Sequence, residues 1–139
     1  AFFTGVLASA VGPEEILTSI RVRPLPDGTG QAYLKFPHPA SGFAVVGVAA
    51  AVRLRGGVCA EARIGITGVG PSAYRASAVE AALVGARLDE AAIAAAADHA
   101  ADGVEVNEDL FASADYRAHL ARVFTRRAIQ AALHRMGGA

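Results

Sequence analysis

Tyr33 and Lys35 are the side chains in this sequence whose types and spacing point most directly to a ligand. They lie two residues apart in the run Gln31 to Phe36, which has the composition of a β-strand. In an extended strand alternate side chains share a face, so Gln31, Tyr33 and Lys35 point one way while Ala32, Leu34 and Phe36 point the other. Lys35 is the single lysine among thirteen basic residues. An aromatic ring beside an ammonium group suits a flat, electron-rich ring system, through stacking and through charge. The plainer reading is that Tyr33 and Lys35 form the solvent half of an ordinary strand, which is where such residues usually sit.

The elements that must position these two residues follow from the flanking sequence. A second run of β-formers, Ile16 to Val22, precedes them, and the connection Pro24 to Gly30 carries two prolines and two glycines. The spacing predicts a hairpin of these two runs. After a second loop, Pro37 to Gly42, the run Phe43 to Arg55 is apolar at nearly every position, as expected of a strand covered on both faces or lying under helices. Gly56-Gly57 supplies the positive φ angles of a tight hairpin turn, and Val58 to Thr67 returns with alternation. The period then changes. Ser77 to Glu80 has the form of a capping box for a helix over Ala78 to Val84 that Gly85 closes. Asp89 is placed to cap a second, alanine-rich helix ending at Gly103, with Asp98 and His99 on it. Asp115 to Met136 makes a third helix about 30 Å long. Its apolar stripe is Tyr116, Leu120, Val123, Phe124, Ile129, Leu133 and Met136, with Arg117, Arg122, Arg126 and Arg135 largely off it. The fold class is therefore α+β: a small antiparallel sheet of three to four strands followed by three helices packed on one face.

Composition narrows the function. The 139 residues make one domain with thirteen basic and thirteen acidic residues, so no charge excess favours nucleic acid or an anionic membrane. No stretch reaches the roughly 18 apolar residues of a membrane span. Cys59 is the only cysteine, which excludes an internal disulfide and a cysteine-only metal cluster, and its place in an apolar strand marks it as an inert core thiol. His38 lies in a loop with no second ligand at metal-binding spacing. The glycines of Gly65 to Gly70 do not fit the GxGxxG pattern and serve better as a strand end turning beneath a helix. No nucleophile, base and orienting group can be assembled, so neither catalytic nor metal-binding residues are assigned.

Four segments occur in an order that resembles a known family: FFTG (2–5) with PEEILTSIRV (13–22), then AYLKF (32–36) with HPASGFAVVGVAAAV (38–52), then ARIGITGVGPSAYRASAVEAAL (62–83), and ADYRAHLARVFTRRAI (114–129). Together they are similar to the C-terminal domain of the FAD-binding medium subunit of molybdenum hydroxylases, the family of aerobic carbon monoxide dehydrogenase and xanthine dehydrogenase, and they span nearly the whole chain. The resemblance implies an oxidoreductase in which a molybdopterin large subunit oxidises substrate, an iron–sulfur small subunit carries the electrons, and FAD on the medium subunit passes them on. It implies that residues 1–12 are a linker-like lead from a preceding FAD-binding domain and residues 13–139 the C-terminal domain. Leu17, Tyr33 and Lys35 then correspond to cofactor-binding positions beside the isoalloxazine ring: Leu17 an apolar wall, Tyr33 a cover for one face, Lys35 a charge favouring reduced flavin. FAD is expected in the full-length subunit and none on this chain alone. The expected partners are the preceding domain and the two other subunits, in a cytoplasmic complex, with self-association of the fragment through Phe2 and Phe3. The alternative from another class is a stand-alone, non-catalytic oligomerisation domain built on the alanine-rich helices and those N-terminal aromatics.

Overall fold

The computed structural model describes residues 2–5 and 7–136. The expected boundary at residue 12 and the helix ending at Met136 fall within them, whereas Ala1, Val6 and residues 137–139 of the two expected segments lie outside. A small hairpin comes first, β1 (Phe3–Gly5) with β2 (Ala8–Ser9), inside the segment read as a lead. The main sheet has four antiparallel strands in sequence order: β3 (Thr29–Pro37), β4 (Ala44–Arg55), β5 (Val58–Thr67) and the two-residue β6 (Tyr74–Arg75). Three helices follow, α1 (Ser77–Leu83), α2 (Glu90–Ala97) and α3 (Ala114–Met136), so the α+β class holds.

The sheet is one-sided. Val46, Val48, Ala50 and Val52 of β4 face the helices with Ala62, Ile64 and Ile66 of β5, and all are buried in one core with Val79, Leu83, Ile93, Leu120 and Ile129. Val45 is also buried in the core, but from Gly47 onward the odd-numbered β4 residues point away, leaving Ala49 exposed and Ala51 half-buried. The apolar run was expected to be covered on both faces or to lie under helices. It is covered on one, and the apolar part of its open face is Gly47, Ala49 and Ala51.

The sequence predicted Ile16–Val22 to be a strand paired with Gln31–Phe36, and the structure corrects this. Residues 15–26 form no strand or helix, and the partner of β3 is β4, with Tyr33 opposite Ala49. The outer side of β3 is occupied instead by α3, where Arg135 donates to the Gln31 carbonyl at 3.0 Å. A side chain at Gly30 would run into the Ala132 carbonyl and Met136, so backbone meets backbone there.

Small residues also decide how α3 packs. Its innermost line is Arg117, Ala121, Thr125, Ala128 and Ala132, all buried, beside Leu120 and Ile129. Tyr116, expected in the stripe, is 42% exposed, and Arg117, expected off it, is 7% exposed. Arg117 crosses to the sheet and donates to the Val45 carbonyl at 2.8 Å, the Gly68 carbonyl at 3.0 Å and the Asp109 carboxylate. Three polar partners explain why a guanidinium tolerates that depth. Two further helix expectations are revised. The Ser77 side chain does not cap α1; the Glu80 carboxylate accepts instead from the Ile64 amide and from Arg75, which ties α1 to β5 and β6. Helix α2 stops at Ala97, and His99 lies in the turns after it, 2.7 Å from Asp102. Asp89 does cap α2, accepting from the Ala92 amide at 2.8 Å.

Candidate functional site

The open face of the sheet carries the site. Antiparallel register places Tyr33, Ala49, Gly65 and Arg75 in one row, each opposite the next, across all four strands. The row beside it is Gln31, Ala51 and Arg63, and the one on the other side Lys35, Gly47 and Thr67. Strands lie about 4.8 Å apart, so roughly 14 Å separates Tyr33 from Arg75. Between them stand only methyl groups and hydrogens. The result is a groove of about 530 Å³ with a floor of Ala49, Ala51 and Gly65, walled by Tyr33 and Gln31 on one side and by Arg63 and Arg75 on the other. Arg135 closes one end.

Tyr33 stands where the alternation of its strand places it, 52% exposed on this face. Its phenol end lies over Gly47: a Cβ there would come within 2.5 Å of the hydroxyl oxygen. Glycine at 47 therefore lets the tyrosine lean onto the sheet.

Lys35 shares the face but does not line the groove. Its ammonium donates to the Gly42 carbonyl at 2.8 Å and so holds the β3–β4 loop. Within that loop the Gly42 amide bonds the His38 carbonyl and the His38 amide bonds the Phe43 carbonyl. His38 Nδ1 accepts from the Ala40 and Ser41 amides, a structural use of a histidine. Leu17 is 53% exposed in the irregular segment before β3 and is not among the residues lining the groove. The structure thus brings Tyr33 and Lys35 onto one face and leaves Leu17 outside the lining of the groove.

The cations of the groove are held in place. Arg63 bonds Glu61 at 2.6 Å, and Arg53 bonds the other oxygen of the same carboxylate at 3.0 Å. Those bonds, Arg53 first and then Arg63, keep the Glu61 carboxyl below its ordinary range. Both oxygens of Glu80 clamp Arg75, whose pKa is raised by that hydrogen bond. A guanidinium has five N–H groups, so each arginine keeps donors for an incoming oxygen. Chemically the face offers one aromatic ring, a flat floor and fixed positive charge: it can hold a planar group bearing oxygen acceptors. Among the described residues no group of three or more His, Cys, Asp or Glu side chains could hold a metal ion. No described helix is long and apolar enough to cross a membrane.

Sequence reasoning found Tyr33 and Lys35 but missed Ala49, Gly65, Arg63 and Arg75 as neighbours. The signal available was small residues at every second position, Gly47, Ala49 and Ala51, where a two-sided strand would carry large ones.

Comparison with known proteins gives the site a context. The family model described as the CO dehydrogenase flavoprotein C-terminal domain matches residues 31–132. The carbon monoxide dehydrogenase medium chain of Hydrogenophaga pseudoflava is 34% identical over 131 residues, covering 94% of this chain and 46% of that one. Subunit alpha of the 6-hydroxypseudooxynicotine dehydrogenase complex of Paenarthrobacter nicotinovorans is 35% identical, over 91% of this chain and 43% of its own. Among solved structures, a Hydrogenophaga pseudoflava carbon monoxide dehydrogenase superposes with a TM-score of 0.90 at 39% identity, over 96% of this chain and 47% of the other. Quinoline 2-oxidoreductase of Pseudomonas putida 86 superposes with a TM-score of 0.84 at 31% identity, over 97% of this chain and 47% of the other. The chain therefore spans about half the length of the relatives it matches.

Proposed function

Because this chain belongs to the CO dehydrogenase flavoprotein C-terminal domain family, we propose that its open sheet face completes the isoalloxazine pocket of an FAD-binding medium subunit. The family expected from the four sequence segments is the one found. The supporting observation for the pocket is the row Tyr33, Ala49, Gly65 and Arg75: a half-exposed aromatic ring at the edge of a floor with nothing above Cβ height.

The residues present fit such a group. A Cβ at Gly65 would meet nothing nearer than the Tyr74 carbonyl at 4.0 Å, so the floor is open on the groove side, and the walls supply N–H donors. Tyr33 would cover the ring and Leu17 would provide apolar contact. Lys35 holds a positive charge on the same face and favours an anionic form of whatever binds there. When bound, FAD supplies the electron-transfer chemistry, and this domain positions it and excludes water from it. Partners follow from the same reading: the preceding FAD-binding domain, an iron–sulfur small subunit as electron donor and a molybdopterin large subunit, in the cytoplasm.

The test uses two measurements. Titrating the 139-residue chain with FAD should leave flavin fluorescence unchanged at sub-micromolar concentration, because the pocket needs its other half. In the flavin-loaded subunit, Tyr33→Leu should change the flavin absorbance envelope and brighten its fluorescence, since a stacked phenol quenches it. An unchanged spectrum would reject Tyr33 as a pocket residue.

A further inference from the structure

We infer that Ile16–Val22 is a strand held ready for a sheet outside this domain, and that the sheet lies in the other half of the medium subunit. The inference rests on the functional reading above.

The composition of the segment is that of a strand. Ile16, Thr18, Ile20 and Val22 alternate with Leu17, Ser19 and Arg21, and no proline interrupts it between Pro13 and Pro24. Yet among the described residues it is in no sheet. Among the described residues, the backbone of 16–25 makes no hydrogen bond to other backbone, although the residues on either side do, Glu15 to Gly12 and Thr29 to Pro26. Its side chains are equally bare: Ile16 is 86% exposed, Ile20 77%, Val22 85% and Leu17 53%. A folded domain seldom leaves consecutive apolar β-formers in water with their backbone groups free, because such a segment is a template for pairing.

The comparisons support a partner outside this domain. The match to the C-terminal domain family model runs from residue 31, so this segment precedes the matched region. Similarity to the Hydrogenophaga pseudoflava medium chain covers 94% of this chain, so it must run through most of residues 1–30. That relative is about twice as long as the match. A segment shared with the relatives, lying before the matched region and shaped for pairing has its partner in the length they hold beyond this chain. An edge strand is the occupant that satisfies both the bare backbone and the alternation. Seven residues span about 23 Å, the length of an ordinary strand.

Pairing would also orient Leu17. With Ile16, Ile20 and Val22 turned into the core of the other half, alternation turns Leu17 to the opposite side. The turn before Thr29, held by the Thr29 hydroxyl on the Pro26 carbonyl at 2.6 Å, then joins the two halves of the pocket.

The test is amide hydrogen exchange on two proteins: the 139-residue chain alone, and a chimera in which it replaces the matched 46% of the Hydrogenophaga pseudoflava medium chain. In the chain alone, amides 17–22 should exchange at rates of an unstructured peptide. In the chimera the partner-facing amides should slow by at least about 100-fold. A flavin-loaded chimera that exchanges like the chain alone would overturn the inference. So would protection in the chain alone that grows with concentration, which would assign the strand to a second copy. A measurement that needs no chimera is the thermal midpoint of the chain carrying Ser19→Pro or Ile20→Lys. It should stay unchanged, and a clear fall would make the segment part of this domain's own fold. Protection in a chimera whose flavin spectrum ignores Tyr33→Leu would keep the strand and reject the flavin pocket.

Discussion

Replacing Arg117 by methionine tests how the longest helix is fixed to the sheet. Methionine keeps the apolar stem and removes the guanidinium, whose donors satisfy the Val45 and Gly68 carbonyls. These carbonyls lie at the end of the groove-bearing strands, beside Gly47 and Thr67. A buried acceptor left without a donor costs about 1–3 kcal/mol. Two of them, less the desolvation relieved when the charge is removed, give a net loss of about 2–4 kcal/mol. At this chain length each kcal/mol moves the midpoint by roughly 3–5 °C, so the thermal midpoint should fall by roughly 6–20 °C. Urea unfolding at 25 °C should show a lower midpoint with an unchanged slope, because the same surface is exposed on unfolding. Arg117→Lys should recover part of the loss, since an ammonium can reach one carbonyl but lacks the fork for both. A loss under about 0.5 kcal/mol in the methionine variant would refute the reasoning, because it would mean that both carbonyls find donors without the guanidinium.

Two further outcomes follow from buried polar groups. Thr125 is fully buried and its hydroxyl has no hydrogen-bond partner among the described residues, so Thr125→Val, the same shape without the hydroxyl, should be neutral or stabilise by up to about 1 kcal/mol in urea unfolding; a clear loss would reveal a partner for the oxygen. Tyr74 donates to the Ala100 carbonyl at 2.8 Å, and burial pushes its pKa up from 10.0 to about 12. A raised folded-state pKa means that its contribution is fully present below pH 10.0 and is lost as pH rises through about 12. Unfolding curves across that window should lose stability faster for the parent chain than for Tyr74→Phe, and parallel slopes would reject the assignment.

Much of the fold was legible in the sequence because it rests on local signals. The Gly56-Gly57 turn adopts positive φ at both residues, Asp89 caps its helix, and alternation alone put Tyr33 and Lys35 on one face. The misreadings share a physical cause, which is that local composition does not say what an element packs against. Ile16–Val22 has the residues of a strand but no partner in the described structure. The inner line of α3 is written in alanine, which does not stand out in an alanine-rich chain, and it includes an arginine that becomes tolerable only beside two carbonyls and a carboxylate. Glu80 sits at capping-box spacing but is drawn away by an amide and a guanidinium from other strands. The groove was illegible for the same reason. Ala49, Gly65 and Arg75 become neighbours of Tyr33 only once strand register is known.

The helix that covers β3 and β4 is translated after every strand it shelters. Once the sheet has left the ribosome, Val46, Val48, Ala50 and Val52 lie on an uncovered surface, and some sixty residues separate the end of β6 from the last turn of α3. Contacts between distant parts of a chain form late, and apolar surface bare in the meantime is open to aggregation. Ribosome profiling with a selective chaperone pull-down should therefore find this nascent chain occupied between the emergence of β4 and that of α3, and released once the helix clears the exit tunnel.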